Sequence, residues 1–235
     1  MTGYSSHHFK AQHIWSILIA LLLAALATAL SWAFWAAFES SGGRLADLAL
    51  EKVPLTGVSN PVTSVLLSFR AYDTLLELAV LLVALLGIWS LGPAPRGFQP
   101  AAIVLSGLAG GIVPLLILSS GYLLWVGAHA PGGAFQAGAL LGAAGVMLAL
   151  TGNERAGLPT LVWLRLALVL GVLVFVTVGL GTALAGLGFL TYPSAAAKWL
   201  ILAIETAATL AIGATLAAAY LGGRPCSGDQ RDMAP

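Results

Sequence analysis

Long apolar stretches separated by short polar segments dominate this sequence. A stretch of about 20 apolar residues is long enough to cross the hydrocarbon core of a bilayer as an α-helix. Six such stretches occur, so we predict an all-α, polytopic membrane protein with about six transmembrane helices. The predicted spans cover residues 14–38, 74–91, 101–126, 132–150, 161–185 and 197–221.

Composition excludes several classes of protein. Of the 235 residues, 59% are hydrophobic and only 8% are charged, against about 25% charged residues in soluble domains. The net charge of +1 and the lack of a basic run argue against a nucleic-acid partner. The single cysteine cannot form an internal disulfide, and no Cys/His cluster has metal-ligand spacing. We therefore expect no metal, no cofactor and no catalytic residue.

The spans fall into two modules. Residues 1–91 carry two spans joined by a loop of about 35 residues, and residues 101–221 carry four spans with short connections. The linker between them, residues 92–100, is rich in proline and glycine, which is typical of a module boundary. Residues 222–235 form a polar tail. Within the long loop, residues 62–69 are apolar but too short to cross a bilayer.

Positive charges in the connections favour one orientation. With six spans both termini lie on the same side of the membrane, and that side carries more Lys and Arg, six against four. The six are Lys10, Arg96, Arg155, Arg165, Arg224 and Arg231; the four are Arg44, Lys52, Arg70 and Lys198. Because cytoplasmic loops are enriched in these residues, we expect both termini in the cytoplasm.

A polar turn separates the third and fourth predicted spans. Its turn-forming and polar residues are His129, Pro131, Gly132 and Gly133. Pro-Gly sequences favour turns, so we predict a tight connection of about five residues. His129 is a candidate proton carrier because a histidine ordinarily titrates near neutral pH; alternatively it is a solvated turn residue.

Glu205 lies about two turns into the last predicted span, with apolar residues on both sides. Lys198 is seven positions earlier, on roughly the same helix face and about 10 Å away by helix rise. Ionisable side chains inside a bilayer are costly and often functional. Glu205 is therefore a candidate for taking up and releasing protons; alternatively it only hydrogen-bonds a neighbouring subunit.

Two further groups of residues stand out. Asp73 and Glu77 share a helix face, with Arg70 within reach, and they are ion-path candidates. Alternatively, Thr74 and Glu77 form a capping box that only fixes the helix start. Small residues at four-residue spacing predict close helix packing; they are Ala134, Gly138 and Gly142 in the fourth span and Gly107 and Gly111 in the third.

The four-span module resembles the MnhB-like subunit of Mrp-type multisubunit cation/proton antiporters. The resemblance depends on the four-span layout and on the string Pro131-Gly132-Gly133-Ala134-Phe135. The family pattern for this turn is close to Gly-His-Asn-x-Pro-Gly-Gly-Gly-Phe. Here His129 stands one place later, and Ala134 replaces the last glycine.

The first module is similar to the C-terminal segment of the large antiporter-like subunit of Mrp complexes and to a small membrane subunit of membrane-bound hydrogenases. The family pattern is close to Val-Leu-Leu-Asp-Phe-Arg-Gly-Tyr-Asp-Thr-Leu-Gly-Glu, and this sequence keeps Arg70, Asp73, Thr74 and Glu77 in register. The two resemblances occur in the order expected of neighbouring subunits fused end to end.

Together the resemblances imply an accessory subunit of an antiporter that exchanges sodium, or another cation, for protons across a prokaryotic cytoplasmic membrane. Such a chain would contact other antiporter subunits and line or brace an ion path with Glu205, Glu77 and Asp73 as polar members. It would not be an enzyme by itself. Two alternatives remain: a membrane-arm subunit of a complex I-related, redox-driven pump such as a membrane-bound hydrogenase, and a purely structural scaffold.

Overall fold

The computed structural model describes residues 5–39, 43–92, 103–151 and 161–222, and every regular element in these ranges is helical. A 3-10 turn covers Val53–Leu55, and a π-helical turn covers Val65–Phe69. The α-helices are α1 (Ser5–Glu39), α2 (Gly43–Lys52), α3 (Pro61–Ser64), α4 (Ala71–Ser90), α5 (Ile103–Val126), α6 (Ala134–Leu150), α7 (Leu161–Leu184) and α8 (Ala197–Leu221). The predicted all-α class is confirmed.

Six of these helices correspond to the six predicted spans. Within the described residues, α1, α4, α5, α7 and α8 are long and apolar enough to cross a membrane. The remaining one, α6, is apolar and has 17 residues, at the lower end of the range that can span a bilayer. The chain is therefore a multi-pass membrane protein.

The chain divides into two compact units, Met1–Leu48 and Ala49–Pro235. In the first unit, the side chains of α1 are exposed throughout residues 17–38, including Trp32 and Phe34, each 74% exposed. So large an apolar surface is stable only against lipid or other apolar protein. The predicted linker lies mostly outside the described residues, and the two-module division stays a prediction.

The second unit is built around α8. Helices α6 and α7 pack along it, α4 also contacts it, and α5 packs mainly against α6. Helix α6 runs parallel to α8, because Gly133 lies beside Glu205 while Gly142, further along α6, lies beside Leu216. Helix α5 is antiparallel to α6. The α5–α6 turn, the start of α4 and the start of α8 therefore share one end of the bundle.

Glycines bring the helices of this unit into close contact. A Cβ atom added to Gly138 would lie 2.7 Å from the Cβ of Ile212, and one on Gly142 would lie 3.0 Å from that of Leu216. A Cβ on Gly171 of α7 would approach α8 at a similar distance. Such approaches leave almost no room for a side chain, which is how membrane helices obtain close packing where apolar attraction is weak.

The segment before α4 folds over the bundle. Asn60 caps α3 by accepting a 3.0 Å hydrogen bond from the Val62 N–H, and Pro61 takes the first helical position, where its missing N–H is not needed. Helix α3 and the π-helical turn have four and five residues, together too short to cross a bilayer. Leu67 anchors the segment in the main core.

Helix α4 does not start at a capping box formed by Thr74 and Glu77, so that alternative is wrong. The helix begins at Ala71, three residues earlier than the predicted span, with Arg70 as its N-cap. Thr74 already lies inside the first turns, and its hydroxyl donates to the Leu66 carbonyl at 2.7 Å. The break at Arg70, with φ −126° and ψ 31°, sets the helix start instead.

Candidate functional site

The turn between α5 and α6 is folded tightly on itself. The N–H groups of Gly127 and Gly133 both donate to the Leu123 carbonyl, at 3.2 and 2.9 Å. A Cβ on Gly132 would lie only 2.5 Å from that same oxygen. Gly133 has a φ of +114°, a conformation that favours glycine. The backbone of the turn therefore requires glycine at both Gly132 and Gly133.

This turn places the N-terminus of α6 next to Glu205. Glu205 is only 3% exposed, and its carboxylate lies close to the backbone N–H of Ala134, the first residue of α6. The first N–H groups of a helix lack partners within the helix, and that end carries a partial positive charge. A carboxylate is stabilised in this position, so α8 supplies the cap that α6 needs.

The two oxygens of Glu205 have different surroundings. A Cβ on Gly133 would lie 3.1 Å from Oε1, so a larger residue at that position would press against the carboxylate. The other oxygen, Oε2, is buried and has no hydrogen-bond partner among the described residues. Because buried polar atoms normally have a partner, Oε2 is the unusual atom of this site.

A cavity of about 200 Å³ lies beside Glu205. Helices α4, α6, α7 and α8 and the segment before α4 all contribute to its wall. Its polar side chains besides Glu205 are Thr63, Thr74 and Gln136, and its larger apolar ones are Val62, Leu66, Leu67, Phe135, Phe175 and Ile204. The site is thus assembled from residues far apart in the sequence.

The segment before α4 is held on the α5–α6 turn by hydrogen bonds. The Asn60 side-chain amide donates to the carbonyls of Gly127 and Ala130, both at 2.8 Å. The Thr63 hydroxyl donates to the same Gly127 carbonyl at 2.6 Å. Carbonyls at the end of a helix have no partner within it, so these side chains satisfy the end of α5 and fix one wall of the cavity.

A second space contains the other acidic candidates. Asp73 and Glu77 line a surface groove of about 510 Å³ together with Leu76, Val80, Leu81 and Phe135. Arg70 forms an ion pair with Asp73, and its Nε donates to Asp73 Oδ2 at 2.6 Å. Phe135 lines both this groove and the Glu205 cavity, so its ring stands at the boundary between them.

A family model described as "Domain related to MnhB subunit of Na+/H+ antiporter" matches residues 104–221, half of the chain. The chain belongs to this family. The match covers α5 to α8 almost entirely, and with them the glycine turn and Glu205. The family model stops short of the first module, so the second resemblance, and with it the fusion of two subunits, stays a prediction.

Two solved structures are similar to this MnhB-related chain, while the search of curated proteins finds no match. One is a chain of the Mrp complex from Dietzia sp. DQ12-45-1b, with 27% identity and a TM-score of 0.63; the alignment covers 92% of this chain and 26% of that one. The other belongs to the membrane-bound sulfane sulfur reductase, an archaeal respiratory membrane complex, with 21% identity, a TM-score of 0.65, and coverage of 87% and 100%. The chain thus spans about a quarter of the Mrp-complex protein, and the second likeness shows the fold alone.

Two further predicted site residues of this MnhB-related chain, Lys198 and His129, line neither the cavity nor the groove. Lys198 is exposed at the start of α8, so the structure does not bring its side chain to the buried Glu205 carboxylate. His129 is exposed on the turn, where its Nδ1 lies 3.2 Å from the Ser59 hydroxyl. Their proposed roles in the ion path stay predictions.

The small residues divide into two sets. Gly138 and Gly142 face α8, and Ala134 starts α6 beside the Glu205 cavity. Gly107 and Gly111 are exposed on α5, where an added Cβ would meet nothing within 4 Å. The face of α5 that packs against α6 instead carries Ala109, Val113 and Ser120, with the Ser120 hydroxyl donating to the Ala137 carbonyl at 2.8 Å.

Sequence reasoning missed two residues of the site. Asn60 was not among the predicted site residues, although an Asn-Pro pair before an apolar run is a recognisable helix start. Phe135 stood only as part of the turn motif, and nothing local indicated that it borders two spaces. In the part of the chain that the structure describes, no three His, Cys, Asp or Glu side chains are arranged to hold a metal ion.

Proposed function

We propose that this chain is an accessory membrane subunit of an Mrp-type cation/proton antiporter, where it lines part of an ion path. Its membership of the MnhB-related family and its likeness to a chain of an Mrp complex support this proposal. The observation that carries it is the buried Glu205 carboxylate. It lies beside a cavity whose wall includes the α5–α6 turn and the segment before α4.

The path we propose joins the two acidic spaces. Ions enter at the groove lined by Asp73 and Glu77, pass the ring of Phe135, and reach the cavity of Glu205. The groove is open, and its acidic residues, Asp73 and Glu77, lie at the surface of α4. Other antiporter subunits would therefore cover the groove in the assembled complex. The antiporter as a whole would exchange sodium or another cation for protons, and the path through this chain would carry the protons.

The membrane placement follows from the shared end of the bundle. The starts of α4 and α8 and the α5–α6 turn lie together, as six alternating spans require. With the positive-charge count favouring cytoplasmic termini, this end faces away from the cytoplasm of a prokaryotic cell. The Glu205 cavity would then open toward the outer half of the cytoplasmic membrane.

A redox-driven pump is the second candidate function. The alignment covers the whole length of a chain in an archaeal respiratory membrane complex. Such coverage is expected if antiporters and redox-driven pumps share a subunit of this kind. In that case redox centres would lie in other subunits. A scaffold that only positions helices is the third candidate; it differs from both in requiring no ionisable group at Glu205.

One experiment separates these candidates. The tagged chain is purified with its native partners in mild detergent, and the partners are identified by mass spectrometry. The complex is then reconstituted in vesicles, and sodium-driven proton movement is measured with a pH-sensitive dye. We expect antiporter subunits without redox proteins and a loss of most exchange in Glu205→Gln, whereas the exposed Glu51→Gln variant retains it.

Three outcomes would contradict the proposal. Co-purified redox subunits would favour the respiratory pump. Full exchange by an assembled Glu205→Gln complex would favour the scaffold. A chain that purifies intact and alone would count against both multisubunit functions.

A further inference from the structure

The two carboxylate oxygens of Glu205 have different surroundings. Oε1 lies on the side of Gly133, at the N-terminal end of α6. Oε2 has no partner in the described chain, although the residue is only 3% exposed. A buried acceptor without a hydrogen-bond partner indicates that a water molecule or an ion binds beside it.

The cavity is suited to hold water against that oxygen. Its volume of about 200 Å³ has room for several molecules, since a water takes up about 30 Å³ in the liquid. Thr63, Thr74 and Gln136 supply polar groups in the wall. A buried water needs two to four polar partners, and this combination provides them.

We propose that Glu205 and the cavity water form a proton-binding site that does not take sodium. A hydronium ion in the cavity gives its proton to Oε2, leaving the neutral acid and a water molecule; release is the reverse. In the ionised state cavity water donates to Oε2, and in the neutral state Oε2–H donates to cavity water, while Oε1 stays beside the N-terminal end of α6. Oε2 therefore has a partner in both states.

The charges around the site favour a proton over a metal cation. Among the described residues, Glu205 is the only ionisable side chain in the cavity wall; α4 contributes Thr74, α6 Gln136 and α7 Phe175, and no residue of α5 reaches it. A hard cation also needs a shell of several oxygen ligands, whereas a proton needs one.

This inference rests on the proposed function only for its role in transport, because proton binding is a property of the chain itself. The full chain is studied in lipid nanodiscs by infrared difference spectroscopy across a pH series. We expect the C=O band of a protonated carboxylic acid to appear as the pH falls. The band should shift when glutamate is labelled with 13C, which assigns it to a glutamate without any substitution.

Variants and salt complete the test. The band should be absent in Glu205→Gln and present in the exposed control Glu51→Gln, and Glu205→Asp should keep a shifted band if Glu205→Gln fails to fold. Replacing choline chloride with sodium chloride at equal ionic strength should leave the midpoint unchanged. A sodium ion bound to the ionised form at a hundred times its Kd would lower that midpoint by about two pH units.

Two results would overturn the inference: a sodium-dependent fall of the midpoint, or a band that survives in folded Glu205→Gln. A band that behaves as expected in a chain whose complex shows no antiport would instead remove the proposed function and leave the proton site. The two proposals therefore fail separately.

Discussion

The helix pair α6 and α8 contains two regions that are built in opposite ways. In its middle, Gly138 and Gly142 bring the backbone of α6 against side chains of α8, with no room for even a methyl group. At its N-terminal end, Gly133 helps to form a cavity, and the helices meet through a carboxylate and an N–H. Both regions depend on glycine, but for different physical reasons.

The difference shows how a polar site can be held inside an apolar bundle. In lipid, close packing is a main source of helix association, so the middle of the pair fixes how far α6 lies from α8. The N-terminal end can then keep an unpartnered oxygen beside a cavity. Substitutions in the middle should therefore affect stability first, and substitutions at the end should affect function first.

Gly138→Leu should have the largest effect. The Cβ alone would lie 2.7 Å from Ile212, so the side chain must push α6 away from α8. Overpacking costs about 1 to 3 kcal/mol, and occasionally more. We expect a large drop in the melting temperature followed by tryptophan fluorescence, with aggregated protein on size exclusion.

The matched control for that substitution is Gly181→Leu in α7. Gly181 has nothing within 4 Å of an added Cβ, so the same side chain should be accommodated with little change in melting temperature. Equal melting temperatures for the two variants would mean that the middle of the α6–α8 pair is not closely packed.

Gly133→Ala should have the second largest effect, and a different one. Its φ of +114° strains any residue with a Cβ, at about 1 to 3 kcal/mol, and the methyl group would lie 3.1 Å from Glu205 Oε1. We expect a moderate loss of melting temperature but a loss of most proton exchange in the reconstituted complex.

Gly87→Ala in α4 provides the comparison, because Gly87 has ordinary helical geometry and open space around it. Replacing a helical glycine with alanine stabilises a helix by up to about 1 kcal/mol, so this variant should melt no lower than the wild type. If Gly133→Ala also kept full exchange, the carboxylate would not depend on the turn.

The spans were predictable because the information for them is local. Hydropathy and length locate all six apolar helices, and the Pro-Gly-Gly string indicates the turn between α5 and α6. The depth of Glu205 in an apolar span also marked it as unusual. These signals depend on neighbours along the chain, which a single sequence displays directly.

The assembly of the site was not predictable, because its contacts join distant residues. The bonds from Asn60 to the turn connect residues 67 and 70 positions apart, and no periodicity encodes such a pairing. Helix rise placed Lys198 near Glu205, yet Lys198 is exposed and Glu205 is buried. Spacing along one helix does not say which face its neighbours cover.

Asn60→Ala should have the smallest effect of the three substitutions, and it tests the wall of the cavity rather than the helix pair. The change removes two donors to the end of α5 and the cap of α3. Leaving a buried acceptor unsatisfied costs about 1 to 3 kcal/mol. Thr63 still donates to the Gly127 carbonyl, so only Ala130 loses its side-chain donor, and we expect the lower half of that range.

A double substitution sharpens this last point. Because Asn60 and Thr63 share one acceptor, removing both should destabilise the chain by more than the sum of the single changes, as expected for residues in one network. Ser59→Ala is the control, since Ser59 is exposed and its 3.5 Å bond to Ala128 is weak; it should lower the melting temperature little. Additive effects of Asn60→Ala and Thr63→Ala would mean that the two side chains act independently, and that their shared acceptor, the Gly127 carbonyl, does not couple them.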